Sequence, residues 1–144
     1  MSLRIFYDET DYRLKGWRQT AEIIRKILEK ENKVLGELLF IITIDKKVRE
    51  LNVQFLEHDY NTDVIAFSNS DGEIINGEIY ISIDTVRRNS INYEVSLKEE
   101  VLRVMIHGVL HLVGYDDKTE DQRVEMKSME DYWLRLNERK ANGF

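Results

Sequence analysis

The stretch that decides the fold is SLKEEVLRVMIHGVLHLVGYDD, residues 96–117. Ser96 followed three residues later by Glu99 has the pattern of a capping box, which opens a helix. From Val101 to Val113 the segment is apolar almost all round, so this helix belongs inside a core and not on its surface. Gly114 stands where the helix must stop, because glycine enters the left-handed region without steric cost. A buried helix requires other elements around it, and the flanking sequence supplies them.

Residues 3–7, LRIFY, read as a short strand. Trp17, Ala21, Ile24 and Leu28 fall at helical spacing and predict an amphipathic helix from Leu14 to Glu31. ELLFIITI (37–44) is continuous and β-branched, the pattern of a strand covered on both faces. Val48, Leu51 and Phe55 predict a second, short helix. DVIAF (63–67) and GEIYISI (77–83) predict two strands, with Ile79, Ile81 and Ile83 alternating against Tyr80 and Ser82. The SNSDGEIIN segment between them carries an Asp71-Gly72 turn and predicts a hairpin return. Thr119 with Gln122 offers another capping box, and Met126, Met129, Trp133 and Leu136 stripe a last helix to Asn137. Strands mixed with helices, one strand pair antiparallel, indicate an α+β or mixed α/β domain.

The 144 residues suit a single domain, 1–144, with one core. No proline, repeat or linker breaks it. Without cysteine there is no disulfide, thiolate ligand or cysteine nucleophile. The longest apolar run, LLFIITI at 38–44, is too short to cross a bilayer, and no secretion signal is visible; a cytoplasmic protein with no membrane partner is expected. The 21 Lys+Arg against 27 Asp+Glu leave a net charge of -6. Affinity for nucleic acid comes largely from cations neutralising phosphates, so DNA is not an expected partner. RNA presented in a larger assembly, or met by a local basic groove, remains compatible with that charge.

His107 and His111, two of the chain's three histidines, lie four residues apart on the central helix. That spacing places them about 40° apart around the axis and one turn along it, so both imidazoles can face one ion. Beyond the Gly114 turn, Asp117 can fold back as a third ligand, with Asp116 as its rival. Three ligands without cysteine suit an open catalytic site better than a closed structural one. A metal there acidifies bound water and polarises a phosphoryl or carbonyl oxygen. Zinc peptidases with an HExxH motif carry a glutamate beside the first histidine; here that residue is Gly108, so peptidase activity is not expected. Glu100 shares the histidines' face but lies two turns from His107, roughly 10 Å by helical rise, beyond direct hydrogen-bond reach.

HGVLHLVGYDD (107–117) resembles the HGxLHLxGYDH signature of the YbeY-type endoribonucleases, or rRNA maturation factors. LNVQFLEHDYNTDVIAF (51–67), GEIYISIDTVRR (77–88) and KEEVLRVMIHG (98–108) resemble further segments of that family in the same order, over about residues 40 to 135. The resemblance implies a zinc-containing, single-strand-specific endoribonuclease acting on ribosomal RNA precursors in rRNA processing and ribosome quality control. It also implies a four-stranded, mostly parallel sheet with one antiparallel strand, surrounded by about five helices, with the metal on His107, His111 and Asp117 of the central helix and its following bend.

This sequence departs from the pattern twice. The third ligand is usually histidine; Asp117 puts a negative charge on the ion, makes the bound water less acidic and lets other divalent metals compete with zinc. Where the family has an arginine after the LN segment, this chain has Leu56. The resemblance implies that this arginine serves catalysis or RNA contact, and His58 nearby could replace part of that role when protonated. Arg87, Arg88 and Arg103 are candidate RNA contacts, whereas Thr62 and Asp63 fix the turn into their strand. A second reading is a ribosome-associated binding factor whose metal is structural.

Overall fold

The computed structural model describes residues 1–57 and 62–141. Among them, four strands and five helices follow in the order β1 (Ser2–Tyr7), α1 (Trp17–Lys30), β2 (Val34–Thr43), α2 (Asp45–Leu56), β3 (Val64–Ser68), β4 (Ile74–Ser82), α3 (Ile83–Asn92), α4 (Leu97–Leu112) and α5 (Glu120–Ala141). The sheet order is β1-β2-β4-β3. β1, β2 and β4 run parallel, and β3 returns antiparallel against β4. The expected architecture holds.

One face of the sheet carries the core. Leu38, Phe40 and Ile42 of β2 and Ile75, Ile79 and Ile81 of β4 are buried there with Val101, Met105 and Val109 of α4. Trp17 of α1 meets Phe40 edge-on, with ring centroids 6.0 Å apart. The opposite face is thinly covered, so β2 is not enclosed on both sides as its apolar run suggests. Leu39 and Ile41 are only half-buried. On that face Phe67 meets Tyr80 at 5.9 Å and the exposed Phe55 of α2 at 5.6 Å.

Several element boundaries move for local reasons. Gly16, at φ +78°, turns the chain just before Trp17, so α1 starts there and not at Leu14. β4 begins at Ile74 because Asp71 and Ile74 bridge across the hairpin turn. It ends at Ser82, whose Oγ accepts the Thr85 N–H at 3.3 Å and caps α3. Ile83 thus opens a helix instead of closing a strand. Periodicity hides α3, since only Ile83, Val86 and Ser90 are buried on its ten residues. Thr119 and Gln122 form the full reciprocal box, both bonds at 3.1 Å. The helix it opens runs beyond Asn137 to Ala141.

Helix α4 lies against the sheet at Gly108. A Cβ there would stand 2.8 Å from Ile79 Cγ2 and 3.0 Å from its Cδ1, and Ile79 is fully buried. Alanine favours a helix over glycine by about 1 kcal/mol, while overpacking a closed core costs about 1–3 kcal/mol. The clash wins. Gly108→Ala is predicted to lose about 1 kcal/mol in urea unfolding, and a midpoint above the parent's would show that α4 can slide off the sheet freely.

Candidate metal centre

The centre is built from the end of α4 outward. Ser96 Oγ accepts the Glu99 N–H at 3.1 Å and starts the helix. At its other end Gly114, at φ +113°, donates to the His111 carbonyl at 3.1 Å, and Tyr115 N–H reaches the Leu110 carbonyl at 3.0 Å. Those two bonds are the Schellman pair that closes a helix on a left-handed residue. The chain then doubles back. Tyr115 Oη donates to Glu31 at 2.7 Å, tying the bend to the end of α1. Arg123 of α5 donates to the carbonyls of Asp117 and Lys118 at 3.3 and 3.0 Å. Asp117 is therefore held in place by its own backbone.

His107 Nε2 and His111 Nε2 lie 3.0 Å apart, and Asp117 Oδ2 is 3.3 and 3.4 Å from them. Ligands at about 2.0–2.1 Å around a tetrahedral ion stand roughly 3.3–3.4 Å from one another; the two edges to Asp117 match that, and the His107–His111 edge is a few tenths of an ångström shorter. The chemistry fits too. His107 Nδ1 lies 2.7 Å from Glu130 Oε2 and is placed to donate to it, which leaves Nε2 to present its lone pair to the other two ligand atoms. Three facing acceptors repel unless a cation or proton lies between them. Glu130 is itself gripped by Arg103 at 2.9 Å, and Arg103 also reaches Asp131 at 2.7 Å. A carboxylate behind a ligating histidine fixes its tautomer and raises its basicity. Burial disfavours a charged His107, but the bond and charge of Glu130, with the charges of Asp117 and Asp63, outweigh it and hold its pKa above the usual histidine value.

Asp116 takes no part in the triad. Its Oδ1 accepts the Asp117 N–H at 2.8 Å, and its other oxygen faces Lys118 at 3.7 Å.

Two cavities, of about 720 and 580 Å³, meet over these residues and share Asp63, His107 and Asp117. The larger runs between α3, α4 and α5 and includes Tyr93, Glu100, Arg123 and Lys127. The smaller follows β3 past Leu56, Ala66 and Lys118. The triad lies where the two openings join.

A model of the family Endoribonuclease YbeY matches residues 6–137, a span that contains the whole triad and both cavities' lining. The chain belongs to the YbeY endoribonuclease family. Endoribonuclease YbeY of Flavobacterium psychrophilum is 42% identical, covering 95% of this chain and 98% of its own length. Its counterpart in Chlorobaculum tepidum is 40% identical over 93% and 96% of the two chains. The solution structure of TM1509 from Thermotoga maritima superposes with a TM-score of 0.65 at 28% identity, covering 98% of this chain and 94% of that one. The YbeY family acts in rRNA maturation, and its endoribonuclease activity is that of a hydrolase.

Within this YbeY chain the other sequence-based candidates divide. His58 lies outside the described residues. Arg88 is engaged by Asp45 at 2.8 Å, where it joins Ser82 and Thr85 in tying α2 to α3. Neither Arg88 nor the exposed Arg87 lines the two cavities. Arg103 does line the larger one, but its guanidinium is directed to Glu130 and Asp131. Asp63 does more than shape a turn. Its carbonyl accepts the Ser82 N–H at 2.9 Å, while its carboxyl stands where the cavities meet, with its pKa raised by burial.

Neither Glu130 nor Arg123 is singled out from the sequence. A signal for Glu130 exists, since it lies on the buried stripe between Met126 and Trp133 and is only 6% exposed. A lone carboxylate on an apolar stripe calls for a buried partner.

Glu100 is 3% exposed, and burial, helped by the nearby charges of Asp63 and Glu130 against Arg103, pushes its pKa up to about 7 from 4.5. Between those two values the folded chain keeps a proton that the unfolded chain has released, so stability falls as pH rises. Its contribution is complete below 4.5 and gone above about 7. In the metal-free protein, Glu100→Gln is predicted to remove on the order of 2 kcal/mol of that slope, making the variant the more stable form at pH 8. Parallel stability curves for the two proteins across this range would refute it.

Proposed function

We propose that this chain is a zinc-dependent, single-strand-specific endoribonuclease that acts on ribosomal RNA precursors in ribosome maturation and quality control in the cytoplasm. The observation that carries the reading is the convergence of His107, His111 and Asp117 at the junction of two open cavities. No helix among the described residues is long and apolar enough to cross a membrane. An open groove on both sides of the triad suits internal cleavage of a strand better than trimming from an end.

His107, His111 and Asp117 would hold the ion, which when bound acidifies a water and polarises the scissile phosphate. The protein's own work is orientation. Glu130 keeps the His107 proton on Nδ1, Arg103 keeps Glu130 in place, and Arg123 holds the backbone that carries Asp117. The aspartate ligand admits other divalent metals beside zinc.

A second reading has an observation in its favour. Leu56, 43% exposed, lines the smaller cavity where an arginine would meet phosphate. A ribosome-associated factor with a structural metal needs no cation there. Incubating the zinc-loaded protein with single-stranded rRNA precursor fragments separates the two. Cleavage lost in His111→Ala supports the enzyme; tight ribosome binding with intact RNA supports the binding factor.

A further inference from the structure

The larger cavity has two unlike walls. On the α3 side stands Tyr93, 64% exposed, with Asn89 one helical turn before it. The backbone at Tyr93 is firmly held: its N–H donates to the Asn89 carbonyl at 2.9 Å, and Val95 N–H reaches the Ser90 carbonyl at 3.0 Å. Glu94 between them takes the left-handed conformation, with φ 57°. The ring is thus presented to solvent from a closed helix end. On the α5 side stand Arg123 and Lys127. Among the described residues Arg123 contacts only backbone carbonyls, so its charge is not neutralised by a carboxylate. Lys127 faces Asp131 at 3.4 Å in an exposed pair, which costs little to exchange for another anion. The floor is acidic, with Asp63, Glu100 and Glu130.

That distribution orients a nucleic-acid strand. The exposed cations with exchangeable partners lie on the Arg123–Lys127 wall, while Arg103 is held by Glu130 and Asp131, so the backbone follows that wall and the base turns to the other side. There it meets an aromatic face and an amide that can donate to and accept from a base edge. We propose that Tyr93, Asn89, Arg123 and Lys127 form a subsite for one unpaired nucleotide beside the scissile phosphate, its base stacked on Tyr93. The subsite rests on the reading of this chain as an RNA-cutting enzyme. It adds a physical source for single-strand preference, because a base within a duplex cannot offer its face to the ring.

The test uses the full-length, zinc-loaded chain and a short labelled single-stranded RNA, with cleavage followed under single-turnover conditions. Tyr93→Ala should raise the half-saturating protein concentration about tenfold, within the range of one lost base-aromatic stack, and Tyr93→Trp should restore it. An abasic nucleotide moved along the strand should reproduce the loss at one position, where Tyr93→Ala then adds nothing further. Fluorescence anisotropy in a His111→Ala background reads the same contrasts without cleavage. If the wild type cuts no RNA, the functional reading fails while the anisotropy contrast still decides the subsite. Tyr93→Ala binding as tightly as the parent, or abasic losses that ignore residue 93, would overturn the proposal. Tyr93 is exposed, so thermal melting of the variant should match the parent.

Discussion

Replacing His111 by alanine is expected to leave a folded protein that no longer cuts RNA, with the rate down by at least about a thousandfold, or about 4 kcal/mol of transition-state stabilisation. The two consequences separate because His111 is a functional residue with little structural work. Its side chain is more than a quarter exposed, and among the described residues the polar partners of its ring are His107 and Asp117. Truncation there leaves no buried group without a partner. The ligand set, however, falls to one imidazole and one carboxylate, too few to fix an ion against water. Metal analysis after gel filtration should show the ion lost, and circular dichroism should show the helices kept. A variant that retains both its metal and its cleavage would remove this triad from the mechanism.

Glu130→Leu should fail in the opposite order, through stability first. Glu130 holds His107 Nδ1 at 2.7 Å and Arg103 Nη1 at 2.9 Å, and is almost fully buried. Leucine fits the volume but leaves both donors facing an apolar group. Breaking a buried ion pair from one side costs about 3–5 kcal/mol; the partial exposure of Arg103 and its second partner Asp131 argue for the lower end, about 3 kcal/mol. That is a large part of an ordinary domain's 5–15 kcal/mol. Zinc affinity should fall about 10–100-fold as well, since the tautomer of His107 is no longer set. Glu130→Gln keeps an acceptor for Nδ1 and should recover most of the stability while remaining weaker for metal. Urea unfolding and zinc titration of the pair measure both effects. Equal stability of the leucine variant and the parent would mean that the Glu130 contacts contribute nothing net.

The legibility of this protein in its sequence follows the range of the interactions involved. Residues 96–117 contain their own helix start, their apolar faces, their Schellman stop and the candidate ligands His107, His111 and Asp117, and the facing histidine pair was readable because helical geometry repeats within a few residues. Even the choice between Asp116 and Asp117 concerned neighbours, although only coordinates show Asp116 turned to the Asp117 N–H. The strands of the hairpin were readable for the same reason, with an alternating pattern around an Asp-Gly turn.

What joins elements was not readable. An apolar stripe says which face of α5 packs on α4, but not where along α4 it crosses. That crossing point alone puts Glu130 behind His107, 23 residues away. Arg88 had the look of an RNA contact until its partner 43 residues earlier, Asp45, came into view. The sequence by itself therefore determined the facing histidine pair and most of the elements, α3 excepted, because these depend on local backbone periodicity; Asp117 followed from the family signature. Tertiary structure decided the support behind the ligands, the close seat of Gly108 on Ile79 and the two-armed groove. These depend on distances between elements, which side-chain packing sets and no short-range pattern encodes.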